Sequence, residues 1–128
     1  MIFDTTFIID LLKGDKKAVK YLEMLDNTSE PKIITAITIH ELWRGLSLLK
    51  TKEEDEIKGI LETSTVLSLD LESSMISGEI EGRLIREGIM IEPEDAMIAG
   101  ITIKHNQKLL TRNTKHFSRI KGLKVESY

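Results

Sequence analysis

Three carboxylates, Asp4, Glu41 and Asp95, each stand where a helix is expected to begin. Asp4 follows the apolar Met1-Ile2-Phe3, Glu41 follows Ile33-Ile34-Thr35-Ala36 by a few residues, and Asp95 opens the run Ala96-Met97-Ile98-Ala99. In a chain that alternates strands and helices, the carboxyl ends of parallel strands face one crevice, where ligands bind. Acidic side chains gathered there repel one another and are partly desolvated. A divalent cation between them is the simplest group that holds such a cluster together. The pattern therefore points to metal-assisted chemistry on phosphate. Each acid alone also has a structural explanation. Asp4 can cap the first helix, Glu41 sits at the reciprocal position of a capping box with Thr38, and Asp95 complements the positive end of its helix. Caps on surface helices, however, have no reason to converge.

The elements that must position these acids follow from apolar periodicity and breakers. Residues 2–4 read as a first strand. Thr5 and Thr6 are good caps for a helix over 7–13, which Gly14 ends. A second helix spans 16–25, and a breaker-rich turn at 27–31 leads to a strand at 32–35. Thr38-Ile39-His40-Glu41 has capping-box spacing and opens a helix to about 50. Further helices are expected over 53–61, from Asp70 to about 87, and from Pro93 to about 106. Strands are expected at 65–69, 108–111 and 123–127. The alternation predicts an α/β fold: three layers, with a central, mainly parallel sheet of four to five strands between helices.

The chain of 128 residues is long enough for one domain with one core, so residues 1–128 are expected to form a single domain. The absence of Cys excludes disulfides, thiolate metal sites and a cysteine nucleophile, and suits a cytoplasmic protein. No apolar run reaches bilayer-spanning length, so no membrane partner is expected, and Met1 leads directly into a strand rather than a signal peptide. The net charge of −3 conceals an asymmetry. Residues 104–124 contain seven Lys and Arg and no acid, whereas residues 1–103 contain 20 acids against 11 Lys and Arg. Segregated charge of this kind can set a positive surface beside an acidic cleft.

Four segments, in order along the chain, resemble the PIN domain, and within it the VapC-type toxins of prokaryotic toxin–antitoxin pairs. They are Ile2-Phe3-Asp4-Thr5-Thr6, Thr38-Ile39-His40-Glu41-Leu42-Trp43-Arg44-Gly45, Pro93-Glu94-Asp95-Ala96-Met97-Ile98-Ala99 and Leu110-Thr111-Arg112-Asn113-Thr114-Lys115-His116-Phe117. The resemblance implies a PIN-like nuclease fold and a Mg²⁺- or Mn²⁺-dependent endoribonuclease, with Asp4, Glu41 and Asp95 as catalytic metal-binding acids. It also implies an RNA substrate, a cognate VapB-like antitoxin, a homodimer, and hydrolysis by water that leaves a 5′-phosphate. The family often places another Asp in the closing motif. This chain has Asn113 and His116 there instead, which puts a second metal in question. Asn113 can accept a bond from a water, and His116 can donate to phosphate.

Several residues have two readings. Thr6 can bond Asp4 or the scissile phosphate, or cap a helix. Arg44, three residues beyond Glu41, can bind RNA phosphate or pair with Glu41. Arg112 and Lys115 flank Asn113 and are expected to meet the RNA backbone together with Arg44 and His116. Trp43, the only Trp, is expected in the core or at a dimer contact. Zinc is not expected, since there is no thiolate and His40 and His105 lack ligand spacing. Two rival functions remain: a PIN-like domain that binds RNA or a partner without cleaving, and, further off, a receiver-like phosphoacceptor. The latter needs paired acids after the first strand and a phosphorylated Asp after a middle one, and Asp4 stands alone.

Overall fold

A computed structural model describes residues 1–128. Five short strands, β1 (Ile2–Phe3), β2 (Ile33–Thr35), β3 (Thr65–Leu67), β4 (Lys108–Leu110) and β5 (Lys124–Glu126), pair in the order β3-β2-β1-β4-β5. Every pairing is parallel. Helices α1 (Thr5–Leu12), α2 (Lys16–Asp26), α3 (Ala36–Leu49), α4 (Glu54–Glu62), α5 (Leu71–Arg86), α6 (Pro93–Lys104) and α7 (Thr114–Phe117) fill the connections.

Alternation along each strand splits the interior in two. Ile2, Ile33 and Leu109 face one side, where Ile80 and Leu84 of α5, Ile98 and Ile101 of α6, and Phe117 of α7 close over them. Their neighbours Phe3, Ile34 and Leu110 face the other side, packed against Phe7 and Ile8 of α1, Ala18 and Leu25 of α2, Leu42 of α3 and Ile57 of α4. The result is the expected α/β/α sandwich. Gly100 lets α6 lie tight on α5: a Cβ there would meet the Ser73 carbonyl oxygen at 2.6 Å. That close approach fixes the rotation of α6 and hence the place of Asp95 in its first turn.

The sheet grows from β1 through β2 to β3 in one direction, then from β4 to β5 in the other. The order therefore reverses between β1 and β4, and the crevice beyond their carboxyl ends is where such folds bind ligands. Asp4 directly follows β1, and Thr111 directly follows β4.

Three local expectations are corrected. The helix expected to open at Thr38 begins instead at Ala36, capped by Thr35, whose hydroxyl oxygen accepts from the Thr38 amide at 3.0 Å. Glu41 thus lies more than a turn inside α3 and takes no part in a capping box. Thr5 and Thr6 belong to α1 rather than preceding it, and Asp4 occupies the cap position without making a capping bond. The closing motif, for which only a strand at 108–111 is expected, also contains the short helix α7.

Candidate active site

With no cap to serve, the Asp4 side chain turns to the crevice. It is almost wholly buried at 3% exposure. Its Oδ2 accepts from the Thr6 hydroxyl at 2.8 Å and the Thr111 hydroxyl at 2.7 Å. Neither donor carries charge, and no cation of the chain pairs with Asp4. Oδ1 makes no hydrogen bond, and no buried side-chain oxygen lacks a partner, so Oδ1 faces solvent. Thr6 is therefore an Asp4 ligand rather than a cap. Thr111 also accepts from the Asn113 amide at 3.0 Å, tying the turn after β4 to the acid after β1.

Glu41 projects from α3 toward the same crevice, where the Thr5 hydroxyl donates to its Oε1 at 2.8 Å. Burial pushes its carboxyl above the usual range. The Thr5 bond opposes this, and the negative charges of Asp4 and Asp95 add to it. Asp95, in the first turn of α6, is likewise raised, foremost by burial. His116 opposes that rise with its Nε2 at 2.8 Å from Asp95 Oδ2, while Asp4 and Glu92 add to it. The three acids thus lie within electrostatic reach of one another. Desolvation, rather than the mutual repulsion that clustering alone suggests, is the larger cause of the shifts.

The donor set suits a hard divalent cation: carboxylate oxygens, neutral hydroxyl neighbours and no thiolate. The carboxylates share one crevice without being gathered into a ready-made cage of three. His116 occupies the Asp95 side of the crevice. Arg119 fixes it from behind, donating Nε to the His116 carbonyl oxygen at 2.8 Å and placing Nη2 2.7 Å from His116 Nδ1. With Nδ1 accepting, Nε2 carries the proton and donates to Asp95.

The remaining candidate residues divide. Asn113 and Lys115 line, with His116 and Arg119, a polar hollow of about 410 Å³ beside Asp95. Arg112 borders the same hollow but donates Nη1 to both oxygens of the buried Asp10, at 2.8 and 2.9 Å. The Tyr128 hydroxyl completes that carboxylate at 2.7 Å. This latch ties the turn after β4 and the C-terminus to α1, and it commits the Arg112 guanidinium to the framework. Arg44 pairs with Glu94 at 3.4 Å rather than with Glu41. Trp43 is 38% exposed on α3 and is not part of the core. Sequence reasoning misses Thr5 and Thr111 as partners of the acids. Thr5 reads locally as a cap, and Thr111 becomes visible only when β4 is known to lie beside β1.

A family model described as PIN domain matches residues 1–123. The tRNA(fMet)-specific endonuclease VapC of Salmonella typhimurium is 27% identical over 99% of this chain and 96% of its own. Ribonuclease VapC1 of Methanocaldococcus jannaschii is 32% identical over 98% of this chain and 85% of its own. The crystal structure of DNA-bound VapBC from Salmonella typhimurium superposes with a TM-score of 0.85 at 26% identity, covering 98% of this chain and 96% of that one.

Proposed function

The chain belongs to the PIN domain family, and from that premise we propose that it is the endoribonuclease toxin of a VapBC-type pair, a single nuclease domain that hydrolyses RNA phosphodiester bonds. The observation that carries the reading is the crevice at the strand-order reversal, where Asp4, Glu41 and Asp95 are held by neutral threonine hydroxyls and one histidine. A receiver-like phosphoacceptor has no support in this arrangement.

Asp4, Glu41 and Asp95 would hold Mg²⁺ or Mn²⁺. When bound, a cation of this kind supplies an activated water and neutralises charge on the phosphate. The chain's own residues do the rest. Thr6 and Thr111 fix Asp4 Oδ2 and leave Oδ1 directed outward. Thr5 fixes Glu41. Asn113 offers an uncharged amide where a further carboxylate would add negative charge. His116 Nε2–H is placed to shift from Asp95 to a phosphate oxygen.

A VapB-like antitoxin has a natural berth. An apolar groove of about 310 Å³, lined by Ile9 and Leu12 of α1, Leu46 and Leu49 of α3, and Ile57 of α4, opens onto Glu41. A segment lying there would meet Glu41 at the edge of the groove, and an Arg or Lys at that point would compete with the cation. A homodimer is part of the proposal, with exposed Trp43 among its contacts. No helix is long and apolar enough to cross a membrane.

The test is cleavage of RNA with Mn²⁺ or Mg²⁺ by the wild type and by Asp4→Asn. Metal-dependent cleavage that the substitution removes supports the reading. The second reading, binding without cleavage, is favoured by His116 standing where a carboxylate is common. RNA bound but left intact at saturating metal would select it.

A further inference from the structure

The basic run of residues 104–124 is not one surface. Lys104 pairs with Asp70, Lys108 with Glu126 at 3.0 Å, and Arg112 with Asp10, while Lys124 donates to Asn106. Lys115, Arg119 and Lys121 of the run, like Lys124, enter no ion pair with a carboxylate, and the same holds for Arg83 and Arg86 in the last turn of α5; Lys124, held by Asn106, lines none of the hollows that join the other five. These five cations are contiguous. The hollow beside Asp95 shares Arg119 with a second depression of about 110 Å³, which also takes in Lys121 and Arg83. That depression shares Arg83 with a third, of about 550 Å³, which ends at Arg86. The chain of hollows thus runs from His116, which bonds Asp95, across α7, to the C-terminal end of α5.

We propose that this is a track for the RNA backbone leading away from the cleavage point, with Arg119 its hub and Arg83 and Arg86 its far end. The proposal rests on the ribonuclease reading of the crevice. An acidic crevice repels a polyanion, so substrate must be held by cations outside it. Cations already paired across the fold gain little by meeting phosphate, because an existing ion pair must first be broken. Unpaired guanidinium groups in successive hollows can each take a phosphate, and Arg does so with paired donors. Arg119 commits Nε and Nη2 to His116 and keeps Nη1 for this purpose. Two carboxylates, Glu79 and Glu87, also border the track but pair with none of its cations. The cations outnumber them.

The experiment is a salt titration of binding to a fluorescein-labelled single-stranded RNA in chelator, so that nothing is cleaved. Arg83→Gln with Arg86→Gln should make the log–log salt slope shallower by about 1.4, at roughly 0.7 for each phosphate no longer neutralised. Arg83→Lys with Arg86→Lys should restore the wild-type slope, because charge rather than helix stability is being read. Lys16→Gln with Lys20→Gln, on the exposed face of α2, should leave it unchanged. A wild-type slope in the glutamine variant overturns the track. If that variant loses binding to polyglutamate instead, the surface belongs to an acidic protein partner, which also overturns it. Metal-dependent cleavage by the wild type alongside an unchanged slope leaves the ribonuclease reading standing. Wild-type protein that neither binds nor cleaves RNA removes both.

Discussion

Asp4 and Asp10 stand on the same stretch of chain and are buried alike, at 3% and 5% exposure. Asp10 takes two bonds from the Arg112 guanidinium and one from Tyr128. Asp4 takes two bonds from threonine hydroxyls, with no cation of the chain opposite it. A buried carboxylate that the fold itself neutralises is part of the framework. A buried carboxylate given only neutral donors is oriented but not offset, and an outside cation has something left to gain there. In the function proposed above, the partner's chemistry, rather than depth of burial, is what separates Asp10 as a structural acid from Asp4 as a functional one.

The largest effects test that separation directly. Asp4→Asn keeps an oxygen for the two threonine hydroxyls but removes the charge. If Asp4 serves a cation worth several kcal/mol to the transition state, cleavage should fall on the order of a thousandfold, at tenfold per roughly 1.4 kcal/mol. Thermal melting in chelator should stay at or above wild type. A variant that cleaves normally, or that melts well below wild type, would place Asp4 with Asp10 as a framework acid. Asp10→Ala should do the reverse. It strands Arg112 and Tyr128 and should cost about 2–3 kcal/mol, less than the roughly 3–5 kcal/mol of a fully buried pair, because Arg112 is 60% exposed. Urea midpoints measure this, and an unshifted midpoint would dissolve the latch.

The sequence carried much of this, for physical reasons that can be named. Strand–helix alternation specified the parallel sandwich, and the residues after β1 and at the start of α6 were visible because local periodicity marks where elements begin. Asp70, with Ser73 three residues on, reads as a cap and is one, with bonds in both directions. Thr38-Ile39-His40-Glu41 has the same local form, yet Thr35 captures the Thr38 amide first, and α3 starts a turn early. Local pattern cannot decide between two competing caps. Nor can it see partners brought together only by strand order. Thr111 reaches Asp4 because β4 lies beside β1, and Arg112 reaches Asp10 across 102 residues. Spacing within the basic run therefore could not show that Arg112 is committed to Asp10.

Arg112 and Lys115 sharpen the comparison among cations. Arg112→Ala should lose stability, about 1–2 kcal/mol for removing a partner from a carboxylate that Tyr128 still bonds. Its effect on RNA affinity should track that loss and disappear when binding is measured well below the melting range. Lys115 pairs with nothing and lines the hollow beside Asp95. Lys115→Ala should leave the urea midpoint alone and flatten the RNA salt slope by roughly 0.7. Exchange of these two outcomes would mean that Arg112 meets the RNA and Lys115 is solvated surface.

The smallest effect concerns pH. Burial raises the Glu41 and Asp95 carboxyls above their unfolded values. Between the unfolded and folded values the native chain holds more protons than the unfolded one, so stability falls as pH rises through that window. The stability these two groups contribute is fully present below the unfolded carboxylate value and is lost once pH passes the raised folded value. At neutral pH without metal, ionised Glu41 therefore works against the fold. Glu41→Gln keeps an acceptor for Thr5 and removes the charge, and it should raise the metal-free melting temperature at neutral pH by a few degrees. The gap should close as pH drops through the carboxylate range, since wild-type Glu41 is then also neutral. Excess Mn²⁺ should shrink or reverse the gap at neutral pH, because the cation stabilises only the chain that retains its ligand. The framework acid gives the opposite sign: Asp10→Asn should melt below wild type at neutral pH, with or without metal. If Glu41→Gln also melts lower in chelator, Glu41 belongs with Asp10, and the crevice has one functional acid fewer than its geometry offers.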